Sequence, residues 1–150
     1  DGMFVMSAVP NKLIRHTYFV AKEKHVTRPA TIYLASKFNV IVLHMSNLKT
    51  SIQQLGEVLK RGESIIIFPE GTRTETGKLG EFKKTFAILS VELGVPVIPV
   101  TIDGAYEAMP KHQKVPSCGN VSVTIHKPIL PAGLDYDQLC DSTKNAVENN

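Results

Sequence analysis

The sequence predicts an α/β fold, a layered domain with a mostly parallel central sheet flanked by helices. Segments rich in β-branched and aromatic residues alternate with amphipathic segments of about 10–15 residues, which is typical of parallel strands joined by helices. The runs "SIIIFP" and "VPVIPV" are apolar throughout, as in strands that are covered on both faces. With 150 residues, of which 43% are hydrophobic, the chain suits one globular domain with a single core.

The N-terminal part of the chain is predicted to hold two helices and two strands. "GMFVMSAVP" reads as a short helix that Pro10 ends, and residues 15–21, "RHTYFVA", have the composition of a strand. Residues 27–38 are predicted to be helical, with Thr27 as a possible N-cap and Pro29 in the first turn. The apolar "NVIVLH" that follows indicates a buried strand.

The next helix is predicted over residues 50–61. Ser51 and Gln54 fit a capping box at its start, and Gly62 suits its end. The run "SIIIFP" then predicts a central strand, because it shows no polar alternation.

The second half of the chain continues the alternation. Apolar side chains recur at spacings of 3, 4, 3 and 4, which predicts a helix that Gly94 closes. They are Leu79, Phe82, Phe86, Leu89 and Leu93. "VPVIPVTI" predicts a strand whose prolines indicate an edge or a strand start, and "NVSVTIH" predicts a half-exposed strand. Asp135 and Gln138 are predicted to cap a last helix that runs to about Glu148.

The net charge, the apolar runs and the cysteine content limit the classes of partner and of cellular compartment that the sequence predicts. A net charge of +3 permits contact with anionic lipid or a phosphorylated substrate, while the scattered basic residues argue against nucleic acid. No apolar run reaches the roughly 18–20 residues of a membrane span, and the opening Asp1-Gly2 predicts no signal peptide. Cys118 and Cys140 predict neither a disulfide framework nor a metal site; they fit a reducing compartment, with Cys140 buried.

The segment "IIIFPEGTRTETGK", residues 65–78, raises the question of a phosphate site. A nucleotide-binding P-loop needs four residues between its glycines and a Ser or Thr after the lysine. Here five residues separate Gly71 from Gly77, and Leu79 replaces the hydroxyl residue. The spacing therefore argues against a P-loop. A nucleotide-binding regulator, which rests on that motif alone, is the weakest interpretation.

The residues after this strand can still bind an anion. Gly71 lets the backbone approach a ligand, Thr72 offers a hydroxyl and an amide, and Arg73 can bind a phosphate through two hydrogen bonds. They stand at the strand end where open α/β sheets usually bind ligands. Glu70 would either hold the arginine or accept a hydrogen bond from a substrate hydroxyl. The competing interpretation is a surface turn with an exposed Glu–Arg pair, worth ~0–1 kcal/mol.

Two motifs give the sequence a resemblance to a known family. "FPEGTR", residues 68–73, resembles the third motif of the glycerophospholipid acyltransferases, the 1-acylglycerol-3-phosphate acyltransferase superfamily. Residues 80–106 are similar to the family's Phe-Lys helix and the Val-Pro-Val-x-Pro-Val strand that follows it. The resemblance covers nearly the whole chain. It is strongest to the acyltransferase module of the bifunctional acyl-acyl carrier protein synthetase/2-acylglycerophosphoethanolamine acyltransferases of bacteria.

The resemblance implies a catalytic residue at the first position of the chain. The family's first motif is His, four residues, then Asp, and Asp1 with the short helix behind it fits the final Asp. The domain, residues 1–150, would then lack its N-terminal part including the catalytic histidine, and this fragment alone is expected to be inactive. Taken by itself, Asp1 would be interpreted as a helix N-cap.

The resemblance also implies a substrate site in the second half of the chain. Arg73 and Lys83 would clamp the substrate phosphate. Glu70, with Gly71 and Thr72 beside it, would hold Arg73 or contact the glycerol.

Two positions depart from the family pattern. The arginine that the second motif usually supplies after a strand is replaced in "VIVLHMSN" by His44, Met45 and Ser46, and His44 is a candidate partial substitute. Thr85 stands where a glycine is common.

The implied reaction transfers a fatty acyl group from coenzyme A or acyl carrier protein to the free hydroxyl of a lysophospholipid or acylglycerol phosphate. The thioester is a co-substrate, and neither a cofactor nor a metal is expected. The expected surroundings are the cytoplasmic face of a membrane and a fused acyl-acyl carrier protein synthetase domain. The alternative is a non-catalytic phospholipid- or phosphate-binding module, which keeps the anion site without the base.

Overall fold

The computed structural model describes residues 2–23, 26, 29, 33, 35, 39–108, 110 and 119–149. The chain forms two compact units, one made of Val9–Phe68 and the other of Asp1–Ala8 together with Pro69–Asn150. In chain order the described elements are α1 (Gly2–Ala8), α2 (Asn11–Ile14), β1 (Thr17–Lys22), β2 (Val40–Leu43), α3 (Leu48–Lys60), β3 (Ser64–Ile66), α4 (Thr85–Leu93), β4 (Val100–Asp103), α5 (Ala105–Ala108), β5 (Ser122–Ile125) and α6 (Tyr136–Glu148).

The unit Val9–Phe68 contains a three-stranded parallel sheet in the order β2-β1-β3. Phe19, in the middle of β1, pairs with Val40 on one side and with Ile66 on the other. Helix α3, whose Leu55 is fully buried, packs against β2 and β3. The predicted parallel sheet is confirmed. In the described part of this unit, however, β1 rather than "SIIIFP" is the central strand. The prediction failed because an apolar run indicates that the faces of a strand are covered, and does not indicate how many neighbouring strands it pairs with.

Helix α3 begins earlier than predicted, and a different residue caps it. The side chain of Asn47 accepts a hydrogen bond from the Thr50 N–H at 3.3 Å. Ser51 is buried inside the helix, where its hydroxyl donates to the Asn47 carbonyl at 3.2 Å and accepts from the His44 N–H at 3.1 Å. The capping box predicted for Ser51 and Gln54 is therefore wrong. Asparagine is as good a cap as serine, and it comes first along the chain.

The other unit is built around the packing of α4 against α6. Ala87 and Leu139 are fully buried there, together with Cys140, whose burial is confirmed. The partly buried residues around them are Phe82, Phe86, Val91, Val97, Ile129 and Leu134. The predicted capping box at the start of α6 is also confirmed: Asp135 accepts from the Gln138 N–H at 2.8 Å, and the Gln138 side chain accepts from the Asp135 N–H at 3.0 Å.

Strands β4 and β5 pair antiparallel in this unit, with Val100 opposite Ile125. An isolated bridge between Val97 and Ile129 continues the pairing into the core around α4 and α6. Both prolines of "VPVIPV" precede β4, so the predicted strand start is confirmed. Proline has no N–H to donate to a sheet, which explains why the regular ladder begins after the second one.

The helix predicted from the apolar repeat starts later than expected. The repeat indicated a helix from Leu79, whereas α4 begins at Thr85 and ends at Gly94, whose φ of 67° favours glycine. The N–H groups of Gly80 and Lys83 donate to oxygens of the preceding loop, not to a helical turn. Lys83, which the repeat from Leu79 would place inside the helix, therefore precedes it.

The remaining predictions divide into two groups. The short helix before Pro10 and the strands expected near residues 15–21, 39–44 and 120–126 are confirmed as α1, β1, β2 and β5. Asp1, Cys118 and most of the helix expected over residues 27–38 lie outside the described residues. Within the described ranges, no helix combines the length and the apolar character needed to cross a membrane.

Candidate active site

The segment before α4 forms a loop that two hydrogen bonds close. At its base, the Lys83 N–H donates to the Pro69 carbonyl at 3.0 Å. Next to that bond, the Gly80 N–H donates to Oε2 of Glu70 at 2.8 Å. Residues 69–83, called the EGTR loop below, are thus fastened at both ends although they form no helix or strand.

Two glycines allow this geometry. Gly71 has a φ of 65°, in the left-handed region where a side chain is strained. A Cβ placed on Gly80 would lie 2.8 Å from Oε2 of Glu70, too close for an unshifted carboxylate. Glycine at position 80 therefore lets the carboxylate reach the backbone N–H. The resulting bond is charge-assisted and stronger than one between neutral groups.

The tip of the EGTR loop is held by two hydroxyl groups. The Thr74 hydroxyl donates to the Lys78 carbonyl at 2.8 Å. From α5, the Tyr106 hydroxyl donates to the Glu75 carbonyl at 2.9 Å. Gly77 lies against the same ring, since a Cβ there would be 3.2 Å from Cδ1 of Tyr106. Sequence patterns gave no role to Tyr106, because its partner lies 31 positions away and local spacing carries no signal of such a contact.

Arg73 projects from this loop into solvent. Arg73 and Thr72 are both exposed, and no described residue forms a hydrogen bond or an ion pair with the Arg73 guanidinium. Among the described contacts, Glu70 binds the Gly80 N–H and not Arg73, so the arrangement in which Glu70 holds the arginine is not the one found. With no partner among the described residues, the Arg73 guanidinium presents its five N–H donors to a ligand.

The two adjacent lysines at the end of the loop differ in environment. Lys84 forms an ion pair with Asp137 in the first turn of α6, and that hydrogen bond raises the pKa of the Lys84 ammonium. Lys83 is exposed, and its ammonium contacts no acidic partner in the described ranges. Phe82 packs against the buried cluster that includes Cys140, which fixes the backbone beside Lys83. Lys83 is therefore the lysine available to an anionic ligand.

Histidine is the residue that most often acts as a general base, so the surroundings of the described histidines are relevant to the reaction. In the unit Val9–Phe68, Nδ1 of His44 lies 2.9 Å from Oε2 of Glu23, and both side chains are about half exposed. In the unit of the EGTR loop, Nε2 of His126 lies 2.7 Å from the Thr101 hydroxyl. The partial substitution of His44 for an arginine stays a prediction. In the described ranges, no cluster of His, Cys, Asp or Glu is arranged to hold a metal ion.

Most of the residues expected to form the site lie in one loop of one unit. They are Glu70, Gly71, Thr72, Arg73 and Lys83. Asp1, the expected catalytic residue, lies outside the described residues. Of the cations on the EGTR loop, Arg73 and Lys83 thus have no partner among the described residues, and hydrogen bonds hold the backbone that carries them. Such an arrangement is suited to a phosphate.

Comparisons with known proteins agree on one family. Residues 1–103 match the family model described as Acyltransferase. The chain is 35% identical over 133 residues to a chloroplastic 1-acyl-sn-glycerol-3-phosphate acyltransferase of Brassica napus, covering 86% of this chain and 38% of that protein. It is 28% identical over 153 residues to the 1-acyl-sn-glycerol-3-phosphate acyltransferase beta of Homo sapiens, covering 98% of this chain and 54% of that protein. The chain therefore spans only part of the length of these relatives.

A solved structure shares the fold. The crystal structure of the 1-acyl-sn-glycerophosphate acyltransferase from Thermotoga maritima matches this chain with a TM-score of 0.78 and 32% identity, covering 89% of this chain and 55% of that one. The predicted α/β class, with a parallel sheet flanked by helices, is confirmed.

Proposed function

The chain belongs to the acyltransferase family, and from this premise we propose that it is the acyltransferase domain of an enzyme of phospholipid synthesis. It transfers a fatty acyl group from an acyl thioester to the free hydroxyl of an acylglycerol phosphate or another lysophospholipid. The names of the relatives, 1-acylglycerol-3-phosphate acyltransferases from a plant, a human and a bacterial source, support this choice of acceptor.

The observation that carries the proposal is the environment of two cations of the EGTR loop, Arg73 and Lys83. Arg73 and Lys83 are exposed and have no acidic partner among the described residues, whereas Lys84 beside them is paired with Asp137. Arg73 binds the phosphate of the acceptor through two N–H groups, and Lys83 adds a second positive charge. Holding the acceptor in this way orients its hydroxyl toward the thioester, and orientation of this kind lowers reaction barriers by several kcal/mol, up to ~7–11 in ideal cases.

The chemical step is direct acyl transfer. The acceptor hydroxyl loses its proton to a general base, and its oxygen attacks the thioester carbonyl. The tetrahedral intermediate collapses, so that the C–S bond breaks, an ester forms, and the thiolate takes up the proton. The nucleophile is the substrate's own oxygen, and no covalent enzyme intermediate is required.

The general base lies upstream of the chain. Asp1 acts as the residue that fixes the tautomer of a histidine five positions before it and stabilises the imidazolium, as the acid does in a Ser-His-Asp arrangement. In this proposal, residues 1–150 alone bind the acceptor but do not turn it over.

The setting of the reaction is also part of the proposal. The acyl donor is acyl-coenzyme A or acyl carrier protein, and neither a cofactor nor a metal takes part. The enzyme works at the cytoplasmic face of a membrane, where its lipid acceptor resides. The resemblance to the bifunctional acyltransferases supports a fused acyl-acyl carrier protein synthetase domain in the same protein.

One observation favours a second candidate, a phospholipid- or phosphate-binding module without catalysis. In the unit that carries the EGTR loop, the one histidine among the described residues is His126, and its Nε2 is hydrogen-bonded to Thr101. A protein with no histidine upstream of Asp1 would keep the phosphate site and lack a base.

A kinetic experiment separates the two candidates. The protein, extended upstream of Asp1, is assayed for acyl transfer from a thioester to lysophosphatidic acid and to lysophosphatidylethanolamine, with Arg73→Ala and Arg73→Lys alongside. If the protein is an enzyme, we expect the rate of acyl transfer to fall by about two orders of magnitude in Arg73→Ala. It should fall less in Arg73→Lys, which keeps the charge but loses the two-point contact. Lipid binding without transfer would establish the binding module. Full activity in Arg73→Ala would refute the assignment of the phosphate to this loop.

A further inference from the structure

Tyr106 joins the EGTR loop to the strand scaffold of its unit. Its hydroxyl donates to the Glu75 carbonyl at 2.9 Å, and its ring lies against Gly77. Glu75 is two residues from Arg73. The hydrogen bond therefore fixes the backbone at a point no more than about 7 Å along the chain from Arg73. On the other side of Arg73, the bond between Glu70 and Gly80 fixes the chain again.

The position of Tyr106 is itself well determined. Helix α5 follows β4 after a single residue, Gly104, whose φ is 78°. A Cβ on Gly104 would lie 2.1 Å from the Asn120 carbonyl oxygen, so no other residue permits this turn without displacement of the backbone. The tyrosine is thus carried by a tight turn at the end of a paired strand, while the loop that it touches has no regular secondary structure.

We propose that Tyr106 is a positioning residue for phosphate recognition, which acts by holding the tip of the EGTR loop so that Arg73 is ordered before the acceptor arrives. This inference rests on the proposed function of Arg73. Within the tip, the Thr74 hydroxyl donates to the Lys78 carbonyl at 2.8 Å and accepts from the Thr76 N–H at 3.3 Å. These bonds shape the tip, whereas the Tyr106 hydroxyl joins it to α5.

The physical reason is the entropy of ordering. An arginine on an unattached loop must lose backbone and side-chain freedom when it binds a phosphate, and this loss weakens binding. A loop that is already attached has lost the backbone part of that freedom on folding. Loss of the Tyr106 hydroxyl is therefore expected to weaken acceptor binding and to leave the chemical step unchanged, because that hydroxyl acts on the loop backbone through the Glu75 carbonyl.

The test uses the enzyme extended upstream of Asp1 and lysophosphatidic acid as acceptor. Tyr106→Phe removes the hydroxyl and keeps the ring against Gly77. Tyr136→Phe is the matched control, because its hydroxyl is bonded to Glu92 between α4 and α6, away from the loop. The expected result for Tyr106→Phe is a KM for the acceptor raised about 3- to 10-fold with kcat within about twofold, the size of one lost hydrogen bond. Tyr136→Phe should leave both constants unchanged.

A double-mutant cycle with Arg73→Ala distinguishes positioning from general stability. If Tyr106 acts through Arg73, Tyr106→Phe has no further effect on KM in the Arg73→Ala background. Equal effects in both backgrounds would overturn the inference. Amide hydrogen exchange gives an independent readout, because exchange over residues 73–78 should quicken in Tyr106→Phe and stay the same over α6. Unchanged exchange in the loop also overturns it.

The outcomes separate this inference from the proposed function. Transfer that depends on Arg73 but shows the parent KM in Tyr106→Phe overturns the role of Tyr106 alone. Transfer that does not depend on Arg73 overturns the proposed phosphate site and the positioning role together.

Discussion

The carboxylate of Glu70 accepts the backbone N–H of Gly80 at 2.8 Å, and in the part of the chain that the structure describes it makes no ion pair with Arg73. The acidic residue of the "FPEGTR" motif therefore closes the loop and, among the described residues, does not engage the arginine three positions later. A carboxylate paired with that guanidinium would compete with a phosphate for the same N–H donors. The geometry separates loop closure by Glu70 from the anion binding that we propose for Arg73.

Two substitutions at Glu70 test loop closure. Glu70→Gln keeps a side-chain oxygen that can accept the Gly80 N–H, whereas Glu70→Ala leaves that N–H without its partner. We expect the KM for lysophosphatidic acid to rise about tenfold or more in Glu70→Ala and less than about threefold in Glu70→Gln, from the usual strength of a hydrogen bond to a charged group. Steady-state kinetics on the extended protein measures both. A Gln variant as impaired as the Ala variant would show that the negative charge itself contacts the substrate.

Adjacent lysines provide a matched pair for the second cation. Lys83→Ala removes an exposed ammonium without an acidic partner among the described residues, and Lys84→Ala removes one that Asp137 already binds. We expect Lys83→Ala to raise the KM for a phosphate-bearing acceptor about tenfold, and Lys84→Ala to leave it near the parent value. The same assay at higher ionic strength should reduce the difference, since salt screens exposed charges. Equal effects of the two substitutions would contradict the assignment of Lys83.

The packing of α6 against α4 makes a prediction about stability. Leu139 is fully buried, whereas Leu130 in the same unit is 66% exposed. We expect Leu139→Ala to lower the free energy of unfolding by about 2–5 kcal/mol, because it removes buried methyl groups and leaves a cavity. Leu130→Ala is the control and should change it by less than about 0.5 kcal/mol. Urea denaturation followed by circular dichroism measures both, and similar midpoints for the two variants would be inconsistent with the core described above.

The environment of Cys140 makes a prediction about pH. Burial raises the pKa of the Cys140 thiol, so less reactive thiolate is present in the folded protein than in an unfolded chain. In a Cys118→Ser variant, we expect iodoacetamide to modify Cys140 slowly at pH 8 and much faster in urea. The folded state holds this proton more tightly, so the thiol makes no contribution to stability below its ordinary pKa of about 8.5 and lowers stability as the pH rises above it. Cys140→Ala, the control, should abolish the labelling, and equal rates with and without urea would argue against burial.

Part of the site could be predicted because its signals are local. Gly71, Thr72 and Arg73 follow one another at the end of an apolar run, and the chemistry of each side chain is independent of its distant neighbours. The cap of α6 was predictable for the same reason, since Asp135 and Gln138 bond to each other across three positions. Interactions between residues a few positions apart can be recognised from the spacing of residue types in the sequence.

Other features could not be predicted, because they depend on contacts distant in sequence or on competition between similar residues. The bond from Gly80 to Glu70 spans ten positions. The apolar repeat predicted Gly80 to be helical, whereas its N–H donates to the Glu70 carboxylate of the loop. Tyr106 reaches Glu75 across 31 positions. At the start of α3, Asn47 and Ser51 are both acceptable caps, and only the folded chain shows that Asn47 is used while Ser51 is buried.

The sequence by itself determined the α/β class, the parallel pairing of the early strands and the family, and it supplied the candidate residues for a phosphate site. Hydrophobic periodicity and short motifs are sufficient for these, because burial and side-chain chemistry act residue by residue. Only the tertiary structure decided that Lys84 rather than Lys83 pairs with Asp137, which acid closes the loop, and which tyrosine bonds to its tip. Those outcomes depend on which donors and acceptors meet when distant segments pack together, and each group that finds a partner in the fold is no longer available to a ligand.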